Sequence, residues 1–224
     1  MEKVDDLPIF AEAGCIAKER AEDALRSSRV KRVICCALGP KGNNIEQAAT
    51  RWLERMGVAD KSEVVLRDTP ELCLELARSI TEDGVVAVFW TCAVYARENE
   101  FFFGNPDVYP FFFQEEMPLD VMQLAARPEL TDKMRGSISM GCLKVASHPS
   151  PAPLVKGLGS QIVLKNSNAA AARACAEGET ELCITTESAR KIYGLVQLHS
   201  FGSPVMVFFG GITRHGLTQI RRHI

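Results

Sequence analysis

Three short, continuously apolar runs, separated by patterns typical of helices, constrain the fold more than any other feature of the sequence. The runs are RVICCAL (32–38), EVVLR (63–67) and GVVAVFWT (84–91). Apolar runs of this length are typical of strands buried on both faces, which occur in parallel sheets covered by helices. The first part of the chain is therefore predicted to be α/β, with a parallel sheet at its centre.

Both intervening helices carry start signals. The first is predicted from Ile45 to Met56, with Asn44 as its N-cap and Gln47 as the partner in a capping box. The second follows Thr69 and Pro70, which are residue types favoured at the cap and at the first helical position. These signals indicate where each strand gives way to a helix, and hence where the connecting loops lie.

The later half of the chain repeats this order of elements. There we predict strands at 138–146, 161–165 and 181–185, helices at 151–158, 169–176 and 188–193, and two final strands. Before the first strand, we predict an amphipathic helix at 8–27. Aromatic runs with turn residues between them, in the middle of the chain, predict an antiparallel excursion or a crossing into a second lobe. The expected division is a helical N-terminal extension (1–30), a first lobe (31–96 plus 196–224) and a second lobe (97–195).

Composition argues against several kinds of partner. The 224-residue chain has a net charge of −2 and no basic block, which argues against nucleic acid. No apolar run approaches the roughly 20 residues that span a bilayer, and the acidic start MEKVDDLPIF does not resemble a signal peptide, so we expect no membrane partner and a cytoplasmic location. The eight cysteines form no CxxC pair and no nucleotide-binding glycine pattern occurs, so neither a metal nor an organic cofactor is expected.

Four polar loops each lead from a predicted strand to a predicted helix. They are GPKGNN (39–44), SHPSP (147–151), NSNA (166–169) and TTES (185–188). In parallel α/β sheets such loops gather at one edge, where helix N-termini present free N–H groups. The loops predict a site for a carboxylate or a phosphate, in a cleft between two lobes. The alternative is that they are helix caps and nothing more.

The same loops resemble the motifs of a known family. ALGPKGNNIEQAA (37–49) is similar to the Gly-Pro-x-Gly opening motif of prephenate dehydratase-like proteins, and VASHPSPAPLV (145–155) to their Ser-His-Pro motif. Residues 166–195 resemble their Ser/Thr-capped, Ala-rich helix and the helix that follows it. The resemblance implies a two-lobed fold like that of type II periplasmic binding proteins, with a mixed sheet flanked by helices in each lobe and the ligand cleft between the lobes.

Two departures make the chain more similar to the prephenate decarboxylases of the bacilysin pathway and related antibiotic routes. Dehydratases usually carry glutamine after Ser-His-Pro, whereas this chain has Ser150–Pro151. Their last strand carries a Thr-Arg-Phe motif whose threonine helps to expel the ring hydroxyl, but here SPVMVFFGG has no threonine. A TRH tripeptide at 213–215 follows the glycines that we expect to close the strand, so we interpret that match as accidental. The resemblance implies loss of CO2 from prephenate without aromatisation, giving a dihydro-4-hydroxyphenylpyruvate.

The loops and the resemblance together define the candidate site. The predicted substrate-binding residues are Gly39, Pro40, Lys41, Gly42, Asn43, Asn44, Ser147, Ser150, Asn166, Ser167, Asn168, Ala169 and Thr185. Thr91 and Cys92 are catalytic candidates because they end the third strand, where the family has site residues. His148 is the acid–base candidate, since an unshifted imidazole titrates near pH 6.5. The alternative for His148 is that it locks its turn by bonding backbone groups.

Three other functions remain open at this point. The first is a prephenate dehydratase that gives phenylpyruvate, and the second is a cytoplasmic carboxylate-binding module without catalysis. The third is a relative that acts on a different, prephenate-like dicarboxylate. The resemblance also implies a homodimer, and the chain shows no regulatory ACT domain, so no feedback site for phenylalanine is expected.

Overall fold

The computed structural model describes residues 18–39, 41–95, 97–134, 143–158 and 161–222. Over these residues the chain forms two compact units. The first unit comprises the chain up to residue 117 and from residue 206 onward, and the second comprises residues 118–205. Each unit is built on its own five-stranded sheet.

The first unit alternates between helices and strands. Its elements are α1 (Lys18–Arg26), β1 (Arg32–Leu38), α2 (Asn44–Arg55), a 3-10 turn (Ala59–Lys61), β2 (Ser62–Arg67), α3 (Pro70–Ser79), β3 (Val85–Cys92), α4 (Glu98–Gly104), β4 (Val108–Pro118) and, after the second unit, β10 (Val205–Thr213) and α8 (Arg214–Arg221). The strand order is β2-β1-β3-β10-β4. Strand β1 is parallel to β2 and β3, whereas β10 is antiparallel to β3, so the sheet is mixed.

Helices cover both faces of this sheet, which explains the continuous apolar runs. On one face, Ile34 of β1 and Phe89 of β3 share a buried cluster with Leu74 of α3. On the other face, the indole of Trp90 lies against that of Trp52 in α2, with 5.3 Å between ring centroids. Successive residues of a strand point to opposite faces, so strands β1 and β3 need apolar residues at every position.

The second unit has a mixed sheet of the same size. Its elements are β5 (Met122–Ala126), α5 (Pro128–Met134), β6 (Lys144–Ser147), a 3-10 helix (Ala152–Leu158), β7 (Gln161–Leu164), α6 (Asn168–Ala176), β8 (Leu182–Thr186), α7 (Glu187–Ile192) and β9 (Val196–Gly202). The strand order is β7-β6-β8-β5-β9, in which β6 is parallel to β7 and β8, and β5 is antiparallel to β8 and β9. The predicted α/β class with a mixed sheet in each part is confirmed.

Small side chains bring α6 close to this second sheet. Ala171, Ala172 and Cys175 of the helix are buried in one cluster with Ala146 of β6 and Cys183 of β8. Because none of these residues is bulky, the helix backbone can approach the strands, and its N-terminus is held near the ends of β6 and β8.

The unit boundaries differ from the expected division. Residues 97–117 were expected in the second lobe, but β4 joins the first sheet, next to β10. Residues 196–205 were expected in the first lobe, but β9 pairs with β5 in the second sheet. The physical reason is strand pairing, which sequence patterns of single strands do not specify. Residues 8–17 of the predicted first helix and 138–142 of a predicted strand lie outside the described residues.

Candidate functional site

The carboxyl ends of three strands lie at one edge of the first sheet. Strands β1, β2 and β3 are parallel, and the register pairs Leu38 with Arg67 and Cys36 with Phe89. Two residues beyond the pair of Cys36 and Phe89, Leu38 of β1 is level with Thr91 at the end of β3. The loop after β1 and the end of β3 therefore lie at the same edge.

The loop after β1 is held by the side chain of Asn43. Its Oδ1 accepts hydrogen bonds from the N–H groups of Ile45 (2.7 Å) and Glu46 (3.0 Å), and its amide nitrogen donates to the carbonyl of Leu38. Asn43 is thus the N-cap of α2. The predicted cap at Asn44 is wrong, because the helix begins one residue earlier and Asn44 is already helical.

Gly42 ties the same loop to the first turn of α2. Its N–H donates to Oε2 of Glu46, and its carbonyl accepts from Nε2 of Gln47 at 3.0 Å. Its φ of +88° is a conformation that glycine adopts without strain. Gln47 therefore bonds the loop carbonyl rather than completing the predicted capping box with Asn44. The N–H of Gly42 and the side chain of Asn43 are engaged within the loop.

Two cations lie at this edge. Lys41 is exposed, and Arg67 ends β2 with a partly buried side chain that donates to a carbonyl of its own strand at 2.8 Å. The N–H of Gly39 donates to the carbonyl of Arg67 at 2.7 Å. Arg67 was not predicted as a site residue, although its position as the last residue of a strand is the same signal that identified Thr91. Pro40 lies outside the described residues.

Thr91 is buried at the end of β3, and its hydroxyl donates to Oε2 of Glu98 at 3.0 Å. Glu98 begins α4, a helix that was not predicted. Its other carboxyl oxygen, Oε1, is buried and has no hydrogen-bond partner among the described residues. Burial raises the pKa of Glu98, and the hydrogen bond from Thr91 offsets part of that rise.

Cys92 is mostly buried beside this pair. Burial raises the pKa of its thiol, and the charge of Glu98 raises it further, while backbone hydrogen bonds act in the opposite direction. Because the pKa of the thiol lies above its ordinary value, Cys92 is protonated at neutral pH. The structure therefore does not favour a thiolate nucleophile at this position.

The first part of β10 runs beside the end of β3. The register pairs Phe208 with Cys92, and the carbonyl of Val207 accepts from the N–H of Ala93 at 3.1 Å. This is the segment that carries apolar residues in place of the threonine of the dehydratase motif. No hydroxyl side chain of β10 is present next to Cys92 in this described segment.

The TRH tripeptide lies far from that edge. Strand β10 runs through Gly210 and Gly211 to Thr213, so the prediction that the glycines close the strand is wrong. Thr213 lies five residues beyond Phe208, about 16 Å along the strand. Its hydroxyl accepts from the N–H of Gly216 at 3.3 Å and caps α8. Thr213 is therefore a structural cap.

In the second unit, the turn after β6 fixes the orientation of His148. The N–H of Ser150 donates to Nδ1 of His148 at 3.3 Å, and the hydroxyl of Ser147 donates to the carbonyl of His148 at 2.8 Å. An Nδ1 that accepts a hydrogen bond carries no proton, so the neutral ring has its proton on Nε2. Burial lowers the pKa of His148, which favours this neutral form. Ser147 is fully buried, whereas Ser150 is exposed.

The N-terminus of α6 lies at the same edge as the end of β8. Ser167 is the N-cap, with its Oγ accepting from the N–H of Ala170 at 3.0 Å. The hydroxyl of Thr185 is buried and donates to the carbonyl of Asn168 at 2.8 Å. Asn166 and Ala169 are exposed, while Oδ1 of Asn168 is buried without a partner among the described residues.

Thr185 and Ser147 are buried and support this edge of the second sheet through their hydrogen bonds. Ser150, Asn166, Ser167 and Ala169 are exposed there. That both sets of loops bind one ligand stays a prediction. Among the described residues, no group of three or more histidine, cysteine, aspartate or glutamate side chains is placed to hold a metal ion. None of the helices that the structure describes is long and apolar enough to cross a membrane.

Comparisons with known proteins give related sequences in Bacillus. No model of a known protein family matches the chain. A prephenate decarboxylase of Bacillus amyloliquefaciens is 30% identical over 182 residues, which cover 77% of this chain and 83% of that protein. A prephenate decarboxylase of Bacillus subtilis matches with the same identity and the same coverage of both chains.

Solved structures with a similar fold include two periplasmic domains. The periplasmic VFT2 domain of Bordetella pertussis BvgS has a TM-score of 0.52 and 14% identity, covering 97% of this chain and all of that domain. A structure of the whole BvgS periplasmic domain has a TM-score of 0.50 and 16% identity, covering 97% of this chain and 43% of that one. At these identities the likeness shows the fold alone, and it confirms the predicted fold of the type II periplasmic-binding-protein kind.

Proposed function

This chain belongs to the prephenate decarboxylase family, and on that premise we propose that it removes the ring carboxylate of prephenate as CO2 without aromatising the ring. The product is a dihydro-4-hydroxyphenylpyruvate that keeps the ring hydroxyl. Family membership, at 30% identity over most of both chains, is the observation that carries this function. The resemblance drawn from the ordered sequence motifs is thereby confirmed.

The first part of β10, which pairs with the end of β3, carries no hydroxyl side chain next to Cys92, and this fits the chemistry. Aromatisation requires the ring hydroxyl to leave, and a leaving hydroxide needs a proton donor. Val207 and Phe208 present no such donor next to Cys92. The ring hydroxyl is then retained while a ring carbon takes up the proton.

The remaining site residues divide into two groups in this proposal. The pyruvyl carboxylate is held by polar groups of Asn166, Ser167, Asn168 and the backbone of Ala169 at the N-terminus of α6, together with Ser150 in the turn after β6. Ser147 and Thr185 position that edge through their hydrogen bonds.

In the first unit, Lys41 and Arg67 supply positive charge, and Gly39, Gly42, Asn43 and Asn44 belong to the loop that carries Lys41. Pro40 stays a predicted substrate-binding residue. The departing carboxylate has to remain weakly solvated, since its charge moves into the ring as CO2 forms.

His148 contributes as a neutral hydrogen-bond donor. With Nδ1 occupied by the N–H of Ser150, its Nε2–H is the group that can reach a carboxylate oxygen. The lowered pKa means that few His148 rings are charged at neutral pH, so an imidazolium is not the proton source.

We further propose a cofactor-independent enzyme that works as a cytoplasmic homodimer in antibiotic biosynthesis. The electron pair left by CO2 spreads over the two ring double bonds of prephenate, so no external electron sink is required. Cys35, Cys36 and Cys73 are buried free thiols, which is typical of proteins in a reducing compartment.

A product assay tests the function directly. The purified chain is incubated with prephenate, and the products are followed by ultraviolet absorbance and mass spectrometry. The proposal predicts a non-aromatic keto acid that has lost CO2 and kept its hydroxyl. Phenylpyruvate would instead show a dehydratase, and tight prephenate binding without turnover would show a binding module; either result contradicts the proposal.

A further inference from the structure

Glu98 has a chemical environment that the proposed site does not explain. It is half-buried at the start of α4, against the end of β3, with one carboxyl oxygen bonded to Thr91 and the other buried without a partner among the described residues. A buried carboxylate oxygen without a donor is costly, whereas a neutral carboxyl lowers that cost. The surroundings therefore favour the acid form.

The hydrogen bond from Thr91 also orients the acid. Thr91 Oγ1 donates to Oε2, so in the neutral carboxyl the proton lies on Oε1. That O–H has no acceptor among the described residues, and it is shielded from water. It is thus a donor without a partner, at the edge of the sheet that carries Lys41 and Arg67.

We propose that Glu98 is the general acid that protonates the ring carbon, and that Thr91 is its positioning residue. This inference rests on the proposed function. In the step, the bond between the quaternary ring carbon and its carboxylate breaks and CO2 leaves. The electron pair moves through the ring double bonds to a ring carbon, which takes the proton from Glu98. Glu98 is left as a carboxylate, and a proton from water restores it after product release.

The other titratable groups near this edge are less suited to the step. Cys92 has a raised pKa, so its thiol is a weaker acid than usual. The hydroxyl of Tyr95 donates to Oε1 of Glu71 at 2.8 Å, and burial and this bond raise its pKa to about 12. Arg97 is paired with Glu71 and Glu100 rather than with Glu98.

The variant Glu98→Gln tests the inference, because an amide can still accept the hydrogen bond from Thr91 but has no acidic proton. With prephenate as substrate, we expect kcat to fall roughly 10²- to 10⁴-fold, with KM changed only a few-fold. In deuterium oxide, the wild type should place deuterium on one face of one ring carbon. The residual product of Glu98→Gln should carry deuterium on both faces, because bulk solvent then supplies it.

The matched control is Glu100→Gln, which removes an exposed carboxylate two residues further along the same helix. It should keep kcat within about twofold and keep the single-face deuterium label. Cys92→Ala tests the thiol as a rival donor: loss of the single-face label in that variant, with the label kept in Glu98→Gln, overturns the inference.

The pH profile separates a catalytic role from a structural one. A general acid must be protonated, so wild-type kcat should fall as the pH rises through the pKa of Glu98, and Glu98→Gln should lose that decline. Unchanged kcat and labelling in Glu98→Gln overturn the inference and leave the proposed function intact. A wild-type chain that does not decarboxylate prephenate overturns both.

Should Glu98→Gln fail to fold, Glu98→Asp keeps the acid and withdraws it by one methylene. We expect an intermediate kcat and a retained decline at high pH. An Asp variant with wild-type kcat and no decline at high pH overturns the inference.

Discussion

The ring of Phe89 in β3 occupies the space that a side chain at Gly211 of β10 would need. A Cβ built on Gly211 lies 1.8 Å from a ring carbon of Phe89, and the two residues are direct partners in the antiparallel register. The glycine is thus required for close packing inside the strand. In the sequence, the same Gly-Gly pair predicts the end of a strand, because glycine is more common in turns than in strands.

Gly211→Ala is predicted to destabilise the first unit. The added methyl group overlaps the Phe89 ring, which must leave its buried position, so we expect the free energy of unfolding to fall by about 1–3 kcal/mol or more. Urea unfolding measures this change. Gly104→Ala is the control, since a Cβ there meets nothing within 4 Å. Equal stability of the two variants would contradict the assigned packing.

Glu115 of β4 forms ion pairs with two arginines of α2, and these pairs attach the helix to the edge strand of the first sheet. Its side chain is only 9% exposed and is held by Arg55 at 3.0 Å and Arg51 at 3.6 Å, both about half exposed. Removing both arginines leaves a buried carboxylate without its partners, whereas removing the carboxylate leaves cations that can turn to water.

We therefore expect Arg51→Ala/Arg55→Ala to cost about 3 kcal/mol, and Glu115→Gln to cost about 1 kcal/mol. Urea titration at neutral pH compares the two variants. A larger cost for Glu115→Gln than for the double variant would show that the arginines do not compensate a buried charge.

The titration of His148 follows from its burial. Its folded-state pKa is lowered, so the unfolded chain binds the proton more readily, and His148 lowers the stability of the fold as the pH falls through about 6.5 toward the folded pKa. Above the unfolded pKa this effect is absent. The melting temperature of His148→Gln should therefore decline less than that of the wild type between neutral and mildly acidic pH.

An NMR titration of the imidazole signals gives a second check, and the midpoint for His148 should lie below that of a free histidine. A midpoint above it would contradict the neutral ring and would restore His148 as a candidate acid.

Several strand ends were predictable from the sequence, but the end of β10 and the pairing of side chains were not. The ends of β1 and β7 and the cap at Thr69 follow from apolar runs and capping residues, which are local signals. Asparagine is a favourable N-cap at either position 43 or 44. The hydrogen bond from the Asn43 amide to the carbonyl of Leu38 decides that Asn43 is the cap, and this contact has no signal in the sequence.

Glu98 had no local signal at all. The segment ENEFFFG lacks helical apolar spacing, and its partner Thr91 is brought to it only when β3 and α4 pack together. For the same reason Arg67 was assigned to its strand and not to the site. Which polar groups meet at the sheet edge depends on the tertiary fold, whereas the presence of an edge follows from the order of elements.

The apolar segment of β10 gives the last prediction, which concerns the choice between decarboxylation and aromatisation. Val205 and Val207 lie on one face of the strand, and Val207 is bonded through its carbonyl to Ala93 beside Cys92. Valine and threonine have nearly the same shape, so Val207→Thr adds a hydroxyl at this position with little change in packing. If this face borders the ring hydroxyl, the new donor assists loss of that hydroxyl, and the variant should form phenylpyruvate that the wild type does not form.

Because a positioned donor contributes roughly 10²- to 10⁴-fold, even poor placement should give a measurable aromatic product. Ultraviolet absorbance of phenylpyruvate reports it, with Val205→Thr as the matched substitution on the same face. A Val207→Thr variant that decarboxylates normally and yields no aromatic product would place the ring hydroxyl away from this segment.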